Sequence, residues 1–379
     1  MKKKEMKKNI PYFVLGGIVI ILLILSFAGI FDSGGDEETY TIGVVTSLSG
    51  NGANLGVPWV QGMQLAAKEI NEEGGVNGKM INVVVEDDKF SPAETTKATQ
   101  FLIATKNPDV LTTLFEVATE AMGPISANEK IPMLTTSFSR EVLGINPYAF
   151  KINFDALYGC EQTVSYAKEN NLYTKLGVLM SQVGYNQDCI KGVKKADSEV
   201  VEEWYTFGEK DFRTQLLKLR EAGVDGIITV GIDFEYIAMF DQIAQMGYNT
   251  SFFCATASEC IFNEGLKSAA REMEGEVYGI DFFNPNELPI SDFANDYEVE
   301  YGEANGIVLT YSAIGYDQTY MLKDIFENCE PKDTECIYLG MKEYSGSGGE
   351  IIQANGFEDR VLGYNYDIYK FDNDSWVQE

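Results

Sequence analysis

Short apolar runs alternate with amphipathic stretches from about residue 40 to the end of the chain. Residues 42–48 (Ile-Gly-Val-Val-Thr-Ser-Leu) form the first run and residues 81–86 the second. Between them, over 57–71, Met63, Ala66, Ala67 and Ile70 recur at the three- and four-residue spacing of a helix with one buried face. A glycine-rich turn at 73–79 separates that helix from the second strand, which closes on Asp87 and Asp88. The next helix opens at Ser91-Pro92-Ala93-Glu94, with Ser91 as N-cap, Pro92 in the first turn and Glu94 three residues on. The alternation then predicts strands at 109–114, 131–135, 176–180, 200–206, 224–230, 251–255, 277–280 and, at the end, 361–376. Helices are predicted at 119–128, 159–170, 189–197, 211–222, 236–246, 292–302 and 309–328, with a glycine- and serine-rich surface loop at 340–349. Strands joined through helices imply an α/β fold with parallel sheets, whose carboxyl-edge loops are where ligands usually sit. No internal sequence repeat is visible.

The first 39 residues break this pattern. Residues 1–9 carry Lys2, Lys3, Lys4, Lys7 and Lys8, and residues 10–31 are almost wholly apolar. A helix of that length spans about 30 Å, enough for a bilayer. Lysines before it and acids after it place the N-terminus in the cytoplasm and the bulk of the chain outside. The segment reads as an uncleaved anchor, or as a signal segment cut after Ser26-Phe27-Ala28. Residues 32–39 read as a flexible charged tether.

Charge and cysteines narrow the function. A net charge of −29 argues against nucleic acid, which is held by basic patches. The chain has no histidine, which removes the commonest metal ligand and the commonest general base, so neither metal nor cofactor is expected. Six cysteines form an even set without a Cys-x-x-Cys pair. Cys329 and Cys336 flank a hydrophilic loop, Cys254 and Cys260 flank a second, and Cys160 and Cys189 remain, each on a predicted helix. Disulfides in these three pairs fit an oxidising compartment.

Several motifs together resemble a known family. Leu48-Ser49-Gly50 at the end of a strand, Ile70-Asn71 at the end of a helix, Gly74-Gly75-Val76-Asn77-Gly78 and Asp87-Asp88 are similar to the amino-terminal lobe of type I solute-binding proteins, the leucine/isoleucine/valine-binding kind that serve ABC importers. The resemblance runs from about Tyr40 to the C-terminus, through Gly208-Glu209-Lys210-Asp211-Phe212 and the closing Tyr369-Lys370-Phe371-Asp372-Asn373-Asp374-Ser375-Trp376-Val377. It implies two Rossmann-like lobes joined by a three-segment hinge, with residues 40–150 and 282–350 in lobe one and 151–281 and 351–379 in lobe two. It also implies a small-molecule ligand between the lobes, an ABC permease as partner, and a monomer tied to the membrane through the N-terminal helix.

In the family a serine and nearby amides hold the ligand's carboxylate. The corresponding position here is Glu116, which would repel a carboxylate unless protonated or bound to a cation, or which turns aside to cap the following helix. Ser137 and Ser139 match positions that bond the ligand, Tyr185 the aromatic over it, Glu235 the acid for its ammonium, and Leu55 a pocket wall. Phe282 is a further wall candidate or a core residue. Two acids, one from each lobe, suit a ligand bearing an amine or another cation. A sensor ectodomain with a separate receptor is the alternative function. A hydrolase is disfavoured, because there is no Gly-x-Ser-x-Gly elbow and no phosphate loop.

Overall fold

The computed structural model describes residues 39–379, residues 305, 347, 350 and 353 excepted. The basic stub, the apolar segment 10–31 and all but the last residue of the tether lie outside the described residues. Among the described residues no helix is long and apolar enough to cross a membrane.

In chain order the strands are β1 (Thr39–Thr46), β2 (Met80–Asp87), β3 (Val110–Thr113), β4 (Met133–Thr135), β5 (Ala149–Lys151), β6 (Leu176–Ser181) and β7 (Val201–Tyr205). They continue as β8 (Gly226–Thr229), β9 (Ser251–Cys254), β10 (Val277–Asp281), β11 (Ala354–Glu358), β12 (Val361–Tyr364), β13 (Asp367–Asp372) and β14 (Ser375–Gln378). They form two sheets of seven strands, ordered β11-β12-β5-β4-β3-β1-β2 and β14-β13-β10-β9-β8-β6-β7. Each sheet carries the same order of five strands, β2-β1-β3-β4-β5 in one and β7-β6-β8-β9-β10 in the other. The repeat invisible in the sequence is therefore present in topology. In both halves the chain doubles back after the second strand, which opens a crevice at the carboxyl edge between the first and third strands.

The central strands are buried throughout, as β3, β6 and β8 show, because helices cover both faces. In lobe one, helix Ala53–Glu72 packs on helix Gly306–Phe326 at backbone distance. A Cβ on Gly62 would stand 1.8 Å from the Ser312 carbonyl oxygen, and one on Gly315 would stand 2.1 Å from that of Trp59. Only glycine permits this approach.

Three differences from the sequence reading matter. First, β11 and β12 belong to lobe one, since Val361 of β12 pairs with Lys151 of β5. The last crossing lies between Tyr364 and Asp367, so only β13 and β14 return to lobe two, and the boundary expected at residue 350 moves on. Second, helices at Ala257–Cys260, Glu264–Arg271 and Thr334–Glu343 were not anticipated, the last cutting into the expected loop at 340–349. Third, Ser91 occupies the N-cap with Pro92 behind it, but its hydroxyl makes no capping bond. All three expected disulfides are formed: Cys160–Cys189, Cys254–Cys260 and Cys329–Cys336.

Candidate functional site

The two lobes meet along the loops at the carboxyl edges of their sheets. Glu116, the first residue of helix Glu116–Glu129 after β3, accepts a hydrogen bond from the Ser137 hydroxyl at 2.9 Å through Oε2. Its other oxygen reaches the opposite lobe. A Cβ on Gly184 would lie 2.5 Å from Oε1, so glycine is what lets helix Gly184–Ala196 come this close. Burial pushes the Glu116 carboxyl up to about 7, Glu120 adds to the rise, and the Ser137 bond opposes it. Glu116 does not turn aside into solvent: it is half-buried and faces lobe two.

Ser137 and Ser139 are buried on the loop after β4. The Ser137 hydroxyl also accepts from the Ser139 amide at 3.1 Å, so it braces its own turn. Ser139 reaches across: its hydroxyl donates to Asp188 of helix Gly184–Ala196 at 3.0 Å, and the neighbouring Arg140 amide donates to the same oxygen at 2.8 Å. Burial drives Asp188 up, but the Lys191 ammonium, the Arg140 amide and the Ser139 hydroxyl together hold it below the usual carboxylate range. Arg140 is itself bound to Asp155 at the start of lobe two.

Tyr185, ahead of the helix predicted at 189–197, lies in the first turn of helix Gly184–Ala196. Its ring stands edge-on to Phe138 of lobe one, 6.1 Å between centroids. Burial raises its phenol, and the fields of Glu235, Glu116 and Glu259 raise it further, so three carboxylates bear on this one hydroxyl.

Glu235 is fully buried and held within lobe two. It accepts from the Tyr205 hydroxyl at 3.0 Å, the Gly208 amide at 3.1 Å and the Ile232 amide at 3.3 Å. Those bonds tie the loop after β7 to the start of helix Asp233–Gln245. Leu55 lies in the first turn of helix Ala53–Glu72, half-buried against the main core. Phe282 stacks on Tyr364 at 4.5 Å and stands edge-on to Tyr366 at 6.0 Å. Tyr366 in turn accepts from the Asp155 amide at 3.1 Å, so Phe282 belongs to an aromatic knot joining all three hinge segments.

Four participants escaped the sequence reading. Asp188 is the first. The second is Glu259, on the four-residue helix Ala257–Cys260 after β9, which accepts at 2.8 Å from the hydroxyl of Tyr311 in lobe one. Burial pushes Glu259 up to about 7, opposed by the Tyr311 bond. The signal available was the Cys254–Cys260 pair, which brackets and stiffens this turn. The remaining two are buried charges at the hinge. Lys151 donates its ammonium to the carbonyls of Asn153 and Phe154 and is pulled down to about 8, chiefly by burial. Asp281 accepts from the Ser258 and Phe282 amides and is pushed up to about 7 by burial.

This geometry, paired α/β lobes touching along their carboxyl edges across a three-segment hinge, agrees with the comparisons. The family model described as periplasmic binding protein matches residues 39–372. The chain belongs to the type I periplasmic binding proteins of the Leu/Ile/Val-binding family. Among curated relatives, the Leu/Ile/Val-binding protein of Escherichia coli (strain K12) is 24% identical over 242 residues, which are 62% of this chain and 65% of that protein. The match thus spans just under two thirds of the relative's length. Among solved structures, the branched-chain amino acid transporter substrate-binding protein of Streptococcus pneumoniae in complex with isoleucine superposes with a TM-score of 0.69 at 20% identity, covering 90% of this chain and all of that one. A solute-binding protein of Rhodopseudomonas palustris in complex with p-hydroxybenzoic acid gives 0.74 at 17% identity, covering 90% and 95%. At such identities the structures speak for the fold. The family is one of solute-binding proteins, which capture a ligand and perform no chemistry on it.

Proposed function

We propose that this periplasmic binding protein is the extracytoplasmic capture component of an ABC importer, taking an amino-acid-like or amine-bearing solute between its lobes. It works as a monomer, with the apolar segment 10–31 holding it at the outer face of the membrane beside its permease. The three disulfides favour an oxidising compartment. The observation that carries the choice of solute is Glu116. It stands where the resemblance implies the group that receives a ligand carboxylate, it is half-buried, and among the described residues it has no ion-pair partner. A carboxylate brought there would meet like charge, whereas an amine would supply the missing countercharge. Helix Gly184–Ala196 and Tyr185 close over the site from lobe two, and closure around the solute presents the form that a permease engages. Titration calorimetry of the full chain in detergent against leucine, isoleucine, amides and primary amines tests this. Binding of an amine that weakens in Glu116→Gln is the expected result. Tight leucine binding left unchanged by Glu116→Gln would overturn it.

A further inference from the structure

We propose that Asn153, in the first of the three hinge crossings, is a strained pivot: closing the lobes twists its backbone, opening relaxes it, and the difference holds down the affinity for the solute. Eleven other described residues besides the glycines have a positive φ, and all lie between 44° and 69°, the left-handed well that an L-residue can occupy. Asn153 stands apart at 139°. That value lies outside the regions open to a residue with a Cβ, so it persists only where the surroundings enforce it. Asparagine tolerates positive φ better than most residues, which fits its use here without removing the cost. The other two crossings, at 282–285 and 364–367, hold no residue of positive φ among those described.

Contacts on both sides fix the twist. The peptide after Asn153 has both polar groups taken: its carbonyl accepts from the Lys151 ammonium at 2.9 Å, and its N–H, that of Phe154, donates to the Asn153 side chain at 2.8 Å. The side-chain amide of Asn153 donates to the Thr136 carbonyl of lobe one at 3.3 Å. Toward lobe two, Phe154 is fully buried and edge-on to Phe138, 5.3 Å between centroids, and Asp155 holds Arg140. Away from the hinge the lobes are joined by the Arg140 amide on Asp188 at 2.8 Å and by the Tyr311 hydroxyl on Glu259 at 2.8 Å. These two bonds exist only while the lobes are together. Once they part, a turn of roughly 20–60° about the N–Cα bond of Asn153 brings φ into the extended region. Hinge residues absorb changes of this kind. The four-carbon stem of Lys151 lets its ammonium follow the carbonyls it binds. Strain present in one form and absent from the other shifts the equilibrium by its full amount. A solute held by the closed form then binds less tightly, in proportion to the fraction of molecules that are closed.

The test is amide hydrogen exchange of the ligand-free full chain in detergent at pH 7, comparing Asn153→Gly with Asn153→Ala. Both variants lose the same side-chain bonds, and only glycine relieves the twist. The Arg140 amide, bonded to Asp188 across the lobes, reports opening, and the amides of β8, inside the lobe-two sheet, report unfolding. Glycine's extra freedom in the unfolded chain enters the second reading and not the first. Backbone strain of this kind is worth about 5- to 150-fold, so protection of the Arg140 amide should be higher in Asn153→Gly than in Asn153→Ala by about that factor. Equal protection would show that the twist persists in the open form, and lower protection in the glycine variant would show that it merely loosens the hinge. Either result overturns the proposal. If Asn153→Ala fails to fold, Asn153→Gly decides against the wild type. Having lost the side-chain bonds, it exceeds wild-type protection at Arg140 only through relief of strain, and protection at or below wild type overturns the pivot. No solute is added, so the outcome is independent of whether Glu116 receives an amine.

Discussion

Closure of the lobes should depend on pH, and Glu116→Gln should remove a defined part of that dependence. Without histidine, ordinary carboxyls, lysines and tyrosines hold one charge state between about pH 5.5 and 8. Among the described residues, Glu116, Glu259 and Asp281 are displaced into this window, each to about 7. Lys151 sits at its upper edge, at about 8. Glu116 and Glu259 lie between the lobes, so opening returns both to water. A carboxyl raised above its unperturbed value stabilises the closed form fully below that value, and the contribution is lost as pH rises through the raised one. For Glu116 the window runs from 4.5 to about 7. That displacement corresponds to about 3 kcal/mol, and because the side chain is half-buried, solvent screening leaves ~1–3 kcal/mol. Because the part of the window below pH 5.5 is already spent, the ratio of closed to open molecules should fall about 2- to 30-fold between pH 5.5 and 8.5 from Glu116 alone. Small-angle scattering of ligand-free protein across this range measures it. The wild-type radius of gyration should rise with pH. Glu116→Gln, neutral at every pH, should stay closed further into the alkaline range and keep only the part due to Glu259. A wild-type radius that does not change with pH, or a variant whose transition matches the wild type in midpoint and amplitude, would refute the reasoning.

Other consequences can be measured separately. Asp188→Ala removes two hydrogen bonds between the lobes, from the Ser139 hydroxyl and the Arg140 amide, and should cost the closed form about 1–3 kcal/mol, seen as a larger scattering radius at pH 5.5. Gly62→Ala drives a methyl group into the Ser312 carbonyl and should destabilise lobe one by more than about 3 kcal/mol, read as a lower urea midpoint. Replacing Cys160 and Cys189 by serine opens a link between residues 29 apart in sequence and should cost about 3 kcal/mol in the same assay, whereas an unchanged midpoint would show that the bridge adds no stability.

What could be read from sequence alone was whatever depends on neighbours along the chain. Periodicity located the strands from β1 to β10, the three-residue β5 excepted, within a few residues because apolar runs bounded by turns carry that signal locally. Residues 361–376 read as one return to lobe two because nothing local tells Val361-Leu362, which pair in lobe one, from Ile368-Tyr369, which pair in lobe two. Glu235 looked like a ligand acid because a glutamate in a first helical turn is equally able to face a cleft or to bind amides of its own lobe. Only the fold shows Tyr205 and Gly208 arriving to claim it. Glu259 was passed over because its partner, Tyr311, lies 52 residues away in the other lobe.

The repeated strand order supplies the missing guide. It superposes β3 on β8 and β4 on β9, so the helix carrying Glu116 corresponds to the one carrying Glu235, and the loop of Ser137 and Ser139 corresponds to the turn of Ser258 and Glu259. The same mapping places β5 on β10, the strands that lead into the first two hinge segments. β5 ends on buried Lys151 and β10 on buried Asp281. Each spends its charge on backbone groups where the chain leaves the sheet, the lysine on carbonyls of residues 153 and 154, the aspartate on amides of residues 258 and 282. A hinge that bends at its crossing segments needs the strand ends on either side to stay fixed. A buried charge bound to main chain does this firmly, because breaking its bonds would leave that charge uncompensated away from water. The two lobes meet that need with opposite signs at matching positions, a correspondence that strand order exposes and sequence similarity does not.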